Sequence, residues 1–304
     1  LQGIFSDPVT ININAGFAAL GPGILGSASS TQTQYNFVNW KTAMAGDQTS
    51  ADDATMVGGL PGGAAYSKYI NRTSDNPAGA GSATPYVHGG INQVRLTNAN
   101  AKALGLLAAN AAGSDASISF SSLFTWDFDP TDGISAGAID FVGVAIHELM
   151  HAMGFVSGVD ILDSNSPPIN GPFTAAQFNP FASGLDFTRM SGAAIAAGAD
   201  IDWTADTRAK DYSIDGGATA LITNAWSTGV NFGDGRQASH WKDNLGIGIM
   251  DPTSAPAGSA NVITANDVQA LDVIGWNTQA VPLPGTLLLF GLGLLSFRIS
   301  RRLR

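Results

Sequence analysis

Residues 140–155, DFVGVAIHELMHAMGF, place three ionisable side chains inside an otherwise apolar run. Asp140 stands before the run, where a helix N-cap belongs, and Gly154 follows it, where a left-handed residue commonly ends a helix. The run therefore predicts a helix about 20 Å long. It is hydrophobic on nearly all sides and is expected to be buried. Buried polar groups are costly unless they are paired, so these three side chains need groups that pair with them inside the folded protein.

The three side chains, His147, Glu148 and His151, form the pattern HExxH. On a helix, positions i and i+4 lie on the same face, so both imidazoles can reach one metal ion. Glu148 lies beside the first of them, where it can take a proton from an activated water. The alternative, two core histidines and a solvated glutamate, needs an amphipathic surface helix, which this sequence does not predict. The pattern also uses the only glutamate among the 24 acidic residues.

The identity of a third metal ligand is open at this point. The chain has no cysteine, which excludes disulfides and cysteine-type zinc sites, and the position that would complete HExxHxxGxxH is Ser157. A catalytic zinc usually has three protein ligands. Asp160 and Asp163 nearby, His88 upstream and His240 far downstream are the candidates. The two aspartates could instead orient a ligand histidine from outside the metal's own ligand set, or cap the next turn.

Charge and composition narrow the choice of partners. The whole chain carries −10, and residues 281–304 contain four arginines and no acid, so the first 280 residues carry −14. Such a body repels phosphate backbones, which argues against nucleic acid. Only 12% of the residues are charged, which suits an exported protein. No Met begins the sequence, so Leu1 is expected to be a mature or trimmed N-terminus.

A second motif lies in residues 238–252, ASHWKDNLGIGIMDP. HExxHxxGF, a long insertion, then SHW and a Met-Asp-Pro ten residues on resemble the leishmanolysin-type branch of the metzincin metalloproteases. The resemblance implies that His147, His151 and His240 bind zinc and that Glu148 is the general base. It also implies that Met250 lies in a tight turn beneath the metal. The cysteines of that family are absent here, so its disulfide-held features do not transfer.

The resemblance also implies a fold and an activity. The fold would be an α+β, metzincin-like domain over residues 1–280, with an N-terminal mixed sheet and buried active-site helix to about residue 155. Residues 156–280 would form a loop-rich C-terminal subdomain. The activity would be that of a secreted zinc metalloendopeptidase acting on protein or peptide substrates. The alternative is a non-catalytic surface or biofilm-matrix protein with a structural zinc site, although such a site needs no Glu148.

The last residues, 281–304, form a separate unit of prolines, an apolar run and terminal arginines (VPLPGTLLLFGLGLLSFRISRRLR). This resembles the PEP-CTERM sorting segment of Gram-negative bacteria, with Leu283 in place of the central acid. The resemblance implies a transient hold in the inner membrane, removal by an exosortase-type enzyme, and a final location at the cell surface or in the extracellular matrix. The apolar run is near the lower length limit for a transmembrane helix, and an ordinary tail anchor is the alternative.

Weaker patterns give further expectations. Asp127, Asp129 and Asp132 present carboxylates at the density of a calcium loop, but their spacing breaks the EF-hand pattern. Asp/Pro/Gly clusters are more often plain turns, so Ca²⁺ is the alternative reading. Helices are predicted over residues 31–45, 64–70, 192–197, 218–224 and 264–274, and strands over 7–17, 91–96 and 116–123.

Overall fold

The computed structural model describes residues 1–279 of the chain. In this part, the helices are α1 (Phe37–Gly46), α2 (Ala51–Gly59), α3 (Asn98–Ala103), α4 (Phe141–Met153), α5 (Val159–Asn165), α6 (Gly192–Ala196) and α7 (Ala265–Asp272). The strands are β1 (Ile13–Ala18), β2 (Gly26–Ser30), β3 (Gln32–Asn36), β4 (Tyr66–Ile70), β5 (Tyr86–Ile91), β6 (Gln93–Thr97), β7 (Ala116–Ser121), β8 (Trp126–Asp127), β9 (Ile139–Asp140), β10 (Arg189–Met190), β11 (Ile201–Asp202) and β12 (Asp211–Tyr212). The predicted α+β class is confirmed.

None of the helices formed by residues 1–279 is long and apolar enough to cross a bilayer. The predicted apolar span and arginine cluster of residues 281–304 lie outside the described residues.

A three-stranded mixed sheet carries the HExxH helix. Its strand order is β1-β7-β2, with β1 parallel and β2 antiparallel to the central strand. Ile118 and Phe120 on β7 pack with Val144 of α4 in a small buried cluster. Within residues 1–279, β2 is therefore an edge strand of this sheet, and it lies alongside α4.

Helix α4 has the ends that its sequence predicts. Asp140 accepts a hydrogen bond from the N–H of Gly143 (2.9 Å), and Gly154 ends the helix with φ of +119°. Six of the thirteen residues of α4 are buried and the other seven are half-buried. The predicted helix is confirmed, its burial is less complete than its apolar sequence predicts, and its start and end are set by local chemistry.

The larger hydrophobic core contains residues from both sides of position 155. Phe187 stacks on Phe37 at 5.6 Å between ring centroids and lies 4.8 Å from Trp40. Trp226 and Trp241 stack at 4.3 Å. The N-terminal and C-terminal halves of the described chain therefore share one core.

Three predicted helices are wrong in part or in whole. The helix predicted over residues 31–45 is confirmed from residue 37, where α1 begins, but Gln32–Asn36 pairs with β6 as strand β3. Residues 64–70 contain strand β4, in which Tyr66, Lys68 and Ile70 are buried at the two-residue period of a strand. Residues 218–224 form turns, with Leu221 and Ile222 bonded to Tyr212. Tertiary pairing overrides local helix propensity in each case.

A buried aspartate connects the last helix to the segment that contains Met250. Asp267 is fully buried, and its Oδ2 accepts hydrogen bonds from the N–H of Thr264 and the N–H of Ile249, both at 2.8 Å. Its Oδ1 accepts one from Trp241 Nε1, also at 2.8 Å. A single carboxylate thus caps α7 and fixes two points of the preceding loop.

We expect Asp267→Asn to lower the free energy of unfolding by about 2–4 kcal/mol. The asparagine NH₂ group would replace one of the two accepting oxygens and would point at N–H groups that need an acceptor. Chemical denaturation measures this change. Asp272→Asn is the matched control on the same helix and should cost less stability. Burial raises the pKa of Asp272 to about 6, and its Oδ1 has no hydrogen-bond partner among the described residues, so an amide replaces fewer hydrogen bonds there. Equal losses for the two variants would contradict the role assigned to Asp267.

Candidate metal centre

Three histidines from distant parts of the sequence meet at one point. The Nε2 atoms of His147 and His151 lie 3.2 Å apart, those of His151 and His240 3.2 Å apart, and those of His147 and His240 3.3 Å apart. Helix α4 supplies the first two from one face, and a loop supplies the third. Within residues 1–279 this is the group of His, Asp or Glu side chains whose ligand atoms converge closely enough to hold a metal ion.

The other ring nitrogen of each histidine faces a backbone carbonyl. His147 Nδ1 donates to the carbonyl of Ile249 (2.8 Å), and His151 Nδ1 to that of Phe155 (2.6 Å). His240 Nδ1 makes a longer contact, 3.3 Å, with the carbonyl of Gln237. Because a carbonyl only accepts, the proton of each neutral ring is on Nδ1, and the Nε2 lone pair points into the cluster.

Burial lowers the pKa of all three histidines. The pKa of His151 falls to about 3, chiefly through burial and then through repulsion from His147. The pKa of His147 is also lowered by burial, and that of His240 lies well below its usual value, through burial and its two histidine neighbours. The rings are therefore neutral at physiological pH, which is the form that binds metals.

The donor set fits zinc. Three nitrogens at 2.0–2.1 Å from a tetrahedral ion are about 3.3–3.4 Å apart, close to the spacing of these Nε2 atoms. Three lone pairs at this distance repel one another unless a cation or a proton lies among them. The carbonyls that hold each Nδ1–H are the outer partners that orient histidine ligands in zinc sites. The spacing and the nitrogen donors of this cluster are therefore compatible with a zinc ion.

Glu148 lies beside the cluster, beneath strand β2. It is 6% exposed, and burial raises its pKa to about 7, a shift that the backbone amide of Ala28 opposes. A Cβ atom on Gly26 would come within 2.9 Å of the Glu148 Cγ and Cδ atoms and overlap its Oε1. A residue without a side chain at position 26 therefore leaves space for the carboxylate.

Met250 is fully buried next to both segments that carry the clustered histidines. Its carbonyl accepts a hydrogen bond from the N–H of Trp241, the residue after His240, at 3.0 Å. The preceding carbonyl, that of Ile249, accepts from His147. The segment 249–250 thus joins the α4 histidine to the loop histidine through the backbone.

A cleft of about 1010 Å³ opens over the histidines. Strand β2 lines one side, α4 carries His147, Glu148 and His151 into it, and residues 235–240 and 249–257 contribute to the rest of its lining. The cluster is therefore accessible from solvent along a groove beside an edge strand.

The other sequence candidates lie away from the three Nε2 atoms. His88 lies on strand β5, and its Nε2 is 3.0 Å from Oδ1 of Asn179. Asp163 accepts from the N–H groups of Asn231 and Phe232 (2.8 and 2.9 Å). Asp160 accepts from the backbone of the loop that precedes His240, and burial raises its pKa to about 6.

The aspartates of the calcium-like loop accept hydrogen bonds from their own turn. Asp127 accepts from the N–H groups of Asp129 and Ser135 (3.0 and 2.7 Å), and these bonds lower its pKa. Asp129 accepts from the N–H of Thr131 (3.1 Å), and Asp132 ends a short 3₁₀ helix. These hydrogen bonds are those of a plain turn, as the sequence predicts for an Asp/Pro/Gly cluster, and calcium binding here stays a prediction.

Sequence reasoning missed three residues that shape the site. Asp267 stands in the capping box TAND, a local signal that the sequence does contain. Gly26 and Arg189 have no local signal, because the first matters through its distance to Glu148 and the second through contacts with residues 38 and 49 positions away.

Comparison with known proteins identifies the tail. Residues 280–302 match the PEP-CTERM protein-sorting motif. Neither a curated protein nor a solved structure matches the chain. The motif indicates export in a Gram-negative bacterium, processing by an exosortase-type enzyme, and a final location at the cell surface or outside the cell. The predicted sorting segment and destination are confirmed, and insertion of the tail into the membrane stays a prediction.

We expect the purified protein to bind one Zn²⁺ per chain, and His240→Ala to weaken that binding by on the order of 100-fold or more, because loss of an outer partner alone costs roughly 10- to 100-fold. Competition with a chromophoric chelator measures the affinity. His88→Ala, the remaining histidine, is the control and should bind zinc like the parent. Equal affinity of the His240 and His88 variants would contradict a site made by the three clustered residues.

Deleting residues 281–304 should leave a folded protein that binds zinc and needs no detergent, since residues 1–279 contain the whole described core and the histidine cluster. Zinc content and thermal unfolding of the truncated and full chains measure this. Loss of metal or of cooperative unfolding on truncation would show that the tail is part of the fold.

Proposed function

We propose that this exported protein is a zinc-dependent metalloendopeptidase that hydrolyses protein or peptide chains at or beyond the cell surface. The observation that carries the proposal is the convergence of three neutral imidazole nitrogens beside a buried glutamate in an open cleft. His147, His151 and His240 would hold the metal. Zinc bound there would supply a Lewis acid that polarises the scissile carbonyl and acidifies a water molecule.

Glu148 is the residue that moves protons. Its carboxylate takes a proton from the attacking water and delivers it to the nitrogen of the leaving amine. A general base must lie within reach of the proton it takes, and Glu148 lies in the same cleft as the three histidines. A purely structural metal site needs the histidines and has no use for this carboxylate.

Strand β2 is suited to hold the substrate. It lies at an edge of the described sheet and lines the cleft, so its outer backbone groups, apart from the N–H of Ala28 that faces Glu148, can pair with an extended peptide. Gly26, Ser27 and Ala28 carry small side chains or none, so a peptide backbone can approach closely. Such pairing would lay the peptide across the cleft next to Glu148.

We infer a metzincin-type architecture from the same features. A mixed sheet carries the HExxH helix, an antiparallel edge strand borders the cleft, and a buried methionine follows the third histidine in a backbone-linked turn. These features support the resemblance of SHW and Met-Asp-Pro to the leishmanolysin-type branch.

Zymography on casein or gelatin, with and without a chelator, tests the activity. We expect chelator-sensitive hydrolysis, and we expect Glu148→Gln to lower the rate by roughly 10²- to 10⁴-fold, the usual contribution of general acid–base catalysis. The variant should retain zinc, because Glu148 is outside the ligand set. His88→Ala is the control and should cut substrate like the parent.

Two outcomes would contradict this function. A zinc-loaded parent without hydrolytic activity on unfolded protein substrates would favour a surface-binding protein with a structural zinc. A Glu148→Gln variant as active as the parent would remove the glutamate from the reaction.

A further inference from the structure

The three histidines are not held equally by their surroundings. His147 and His151 are fixed by a buried helix and by short bonds from Nδ1. His240 lies on a loop without regular structure, and its Nδ1 contact of 3.3 Å is the longest of the three. The position of its ring must therefore depend on the backbone just before it.

One carboxylate collects the hydrogen-bond donors of that backbone. Asp160, in the first turn of α5, accepts from the N–H of Ala238 (2.6 Å), the N–H of Ser239 (3.1 Å) and the Ser239 hydroxyl (2.5 Å). Both of its oxygens are engaged in this way. Helix α5 follows α4 after a short connection, so the acid sits on the element next to the one that carries the other two histidines.

The same two residues are fixed from other directions. Arg189, which is fully buried, donates from Nη1 to the carbonyl of Ala238 and from Nη2 to that of Ser227, both at 3.0 Å. The N–H of Ser157 donates to the Ser239 hydroxyl at 2.8 Å. The polar groups of the loop before His240 are thus held by fixed partners rather than by solvent.

We propose that Asp160 is a positioning residue that sets the approach of His240 to the metal centre by fixing the backbone of residues 238–239. The inference rests on the proposed zinc site. An aspartate suits this role because three donors need a group that only accepts, whereas an asparagine would place its own N–H groups among them. Outer partners of this kind change metal affinity by roughly 10- to 100-fold.

Asp163 provides a matched control on the same helix. It is as deeply buried as a core residue, at 1% exposure, and it also accepts hydrogen bonds from two backbone N–H groups and from the Asn231 side chain. Its partners belong to residues 231–232, away from the three ligands. Asp163→Asn should therefore lower stability much as Asp160→Asn does, and leave the metal centre in place.

The test compares Zn²⁺ affinity and the Co²⁺ absorption spectrum of the full-length parent, Asp160→Asn and Asp163→Asn, together with their unfolding by denaturant. We expect roughly 10- to 100-fold weaker Zn²⁺ binding and an altered Co²⁺ spectrum for Asp160→Asn. For Asp163→Asn we expect a parent-like spectrum and an affinity within about threefold of the parent, since its hydrogen-bond partners are Asn231 and Phe232 and not the backbone just before His240. Equal zinc affinities for the two variants would overturn the proposal.

A double-mutant cycle separates positioning from a general loss of stability. In the His240→Ala background, Asp160→Asn should change the Zn²⁺ affinity by less than about threefold, because the ligand it positions is gone. A loss as large as in the parent background would overturn the proposal. If Asp160→Asn does not fold, Ser239→Ala, which removes one of the three donors, should show a smaller loss in the same direction, and no loss there would overturn it.

The outcomes also separate this inference from the proposed function. A parent that binds no Zn²⁺ would overturn both. A parent that binds Zn²⁺ and is unaffected by Asp160→Asn would overturn the positioning role alone.

Discussion

The convergence of three imidazole nitrogens within 3.3 Å of one another is the constraint on which the rest of the site depends. Each ring is neutral because burial disfavours its charged form, and each is turned by a backbone carbonyl that holds its Nδ1–H. Such an arrangement is unfavourable by itself, since three lone pairs face one another with no donor between them. The surrounding fold must therefore supply the rigidity that keeps them in place.

That rigidity comes largely from buried aspartates. The chain has no cysteine, and 23 of its 24 acidic residues are aspartates. Asp140 caps the HExxH helix, Asp160 and Asp163 hold successive loop segments, and Asp267 ties the last helix to the segment before Met250. The short aspartate side chain reaches nearby backbone N–H groups, which turn-rich segments leave unpaired. In this exported protein, which has no disulfides, the hydrogen bonds of these carboxylates hold the long loops in place.

Export and the site are consistent with one another. The PEP-CTERM motif indicates that the body is delivered to the cell surface or beyond. The cleft beside strand β2 presents an open groove instead of a closed pocket, which suits an extended polymer chain more than a small molecule. The net charge of −14 on the first 280 residues disfavours nucleic acid as that polymer. Peptide chains are the class that an edge strand recognises through backbone pairing.

Local sequence determined the helix, its ends and the pairing of His147 with His151, because capping chemistry and i, i+4 spacing act within a few residues. It also determined the sorting tail, whose order of prolines, apolar run and arginines is read along the chain. It did not determine that residues 32–36 and 66–70 are strands, since their partners, β6 and β5, lie elsewhere in the sequence. The separation of 89 positions between His151 and His240 follows no spacing rule. Only the tertiary structure brings His240 to the other two, because Asp160, Arg189 and Asp267 hold its loop through contacts between residues 18 to 79 positions apart.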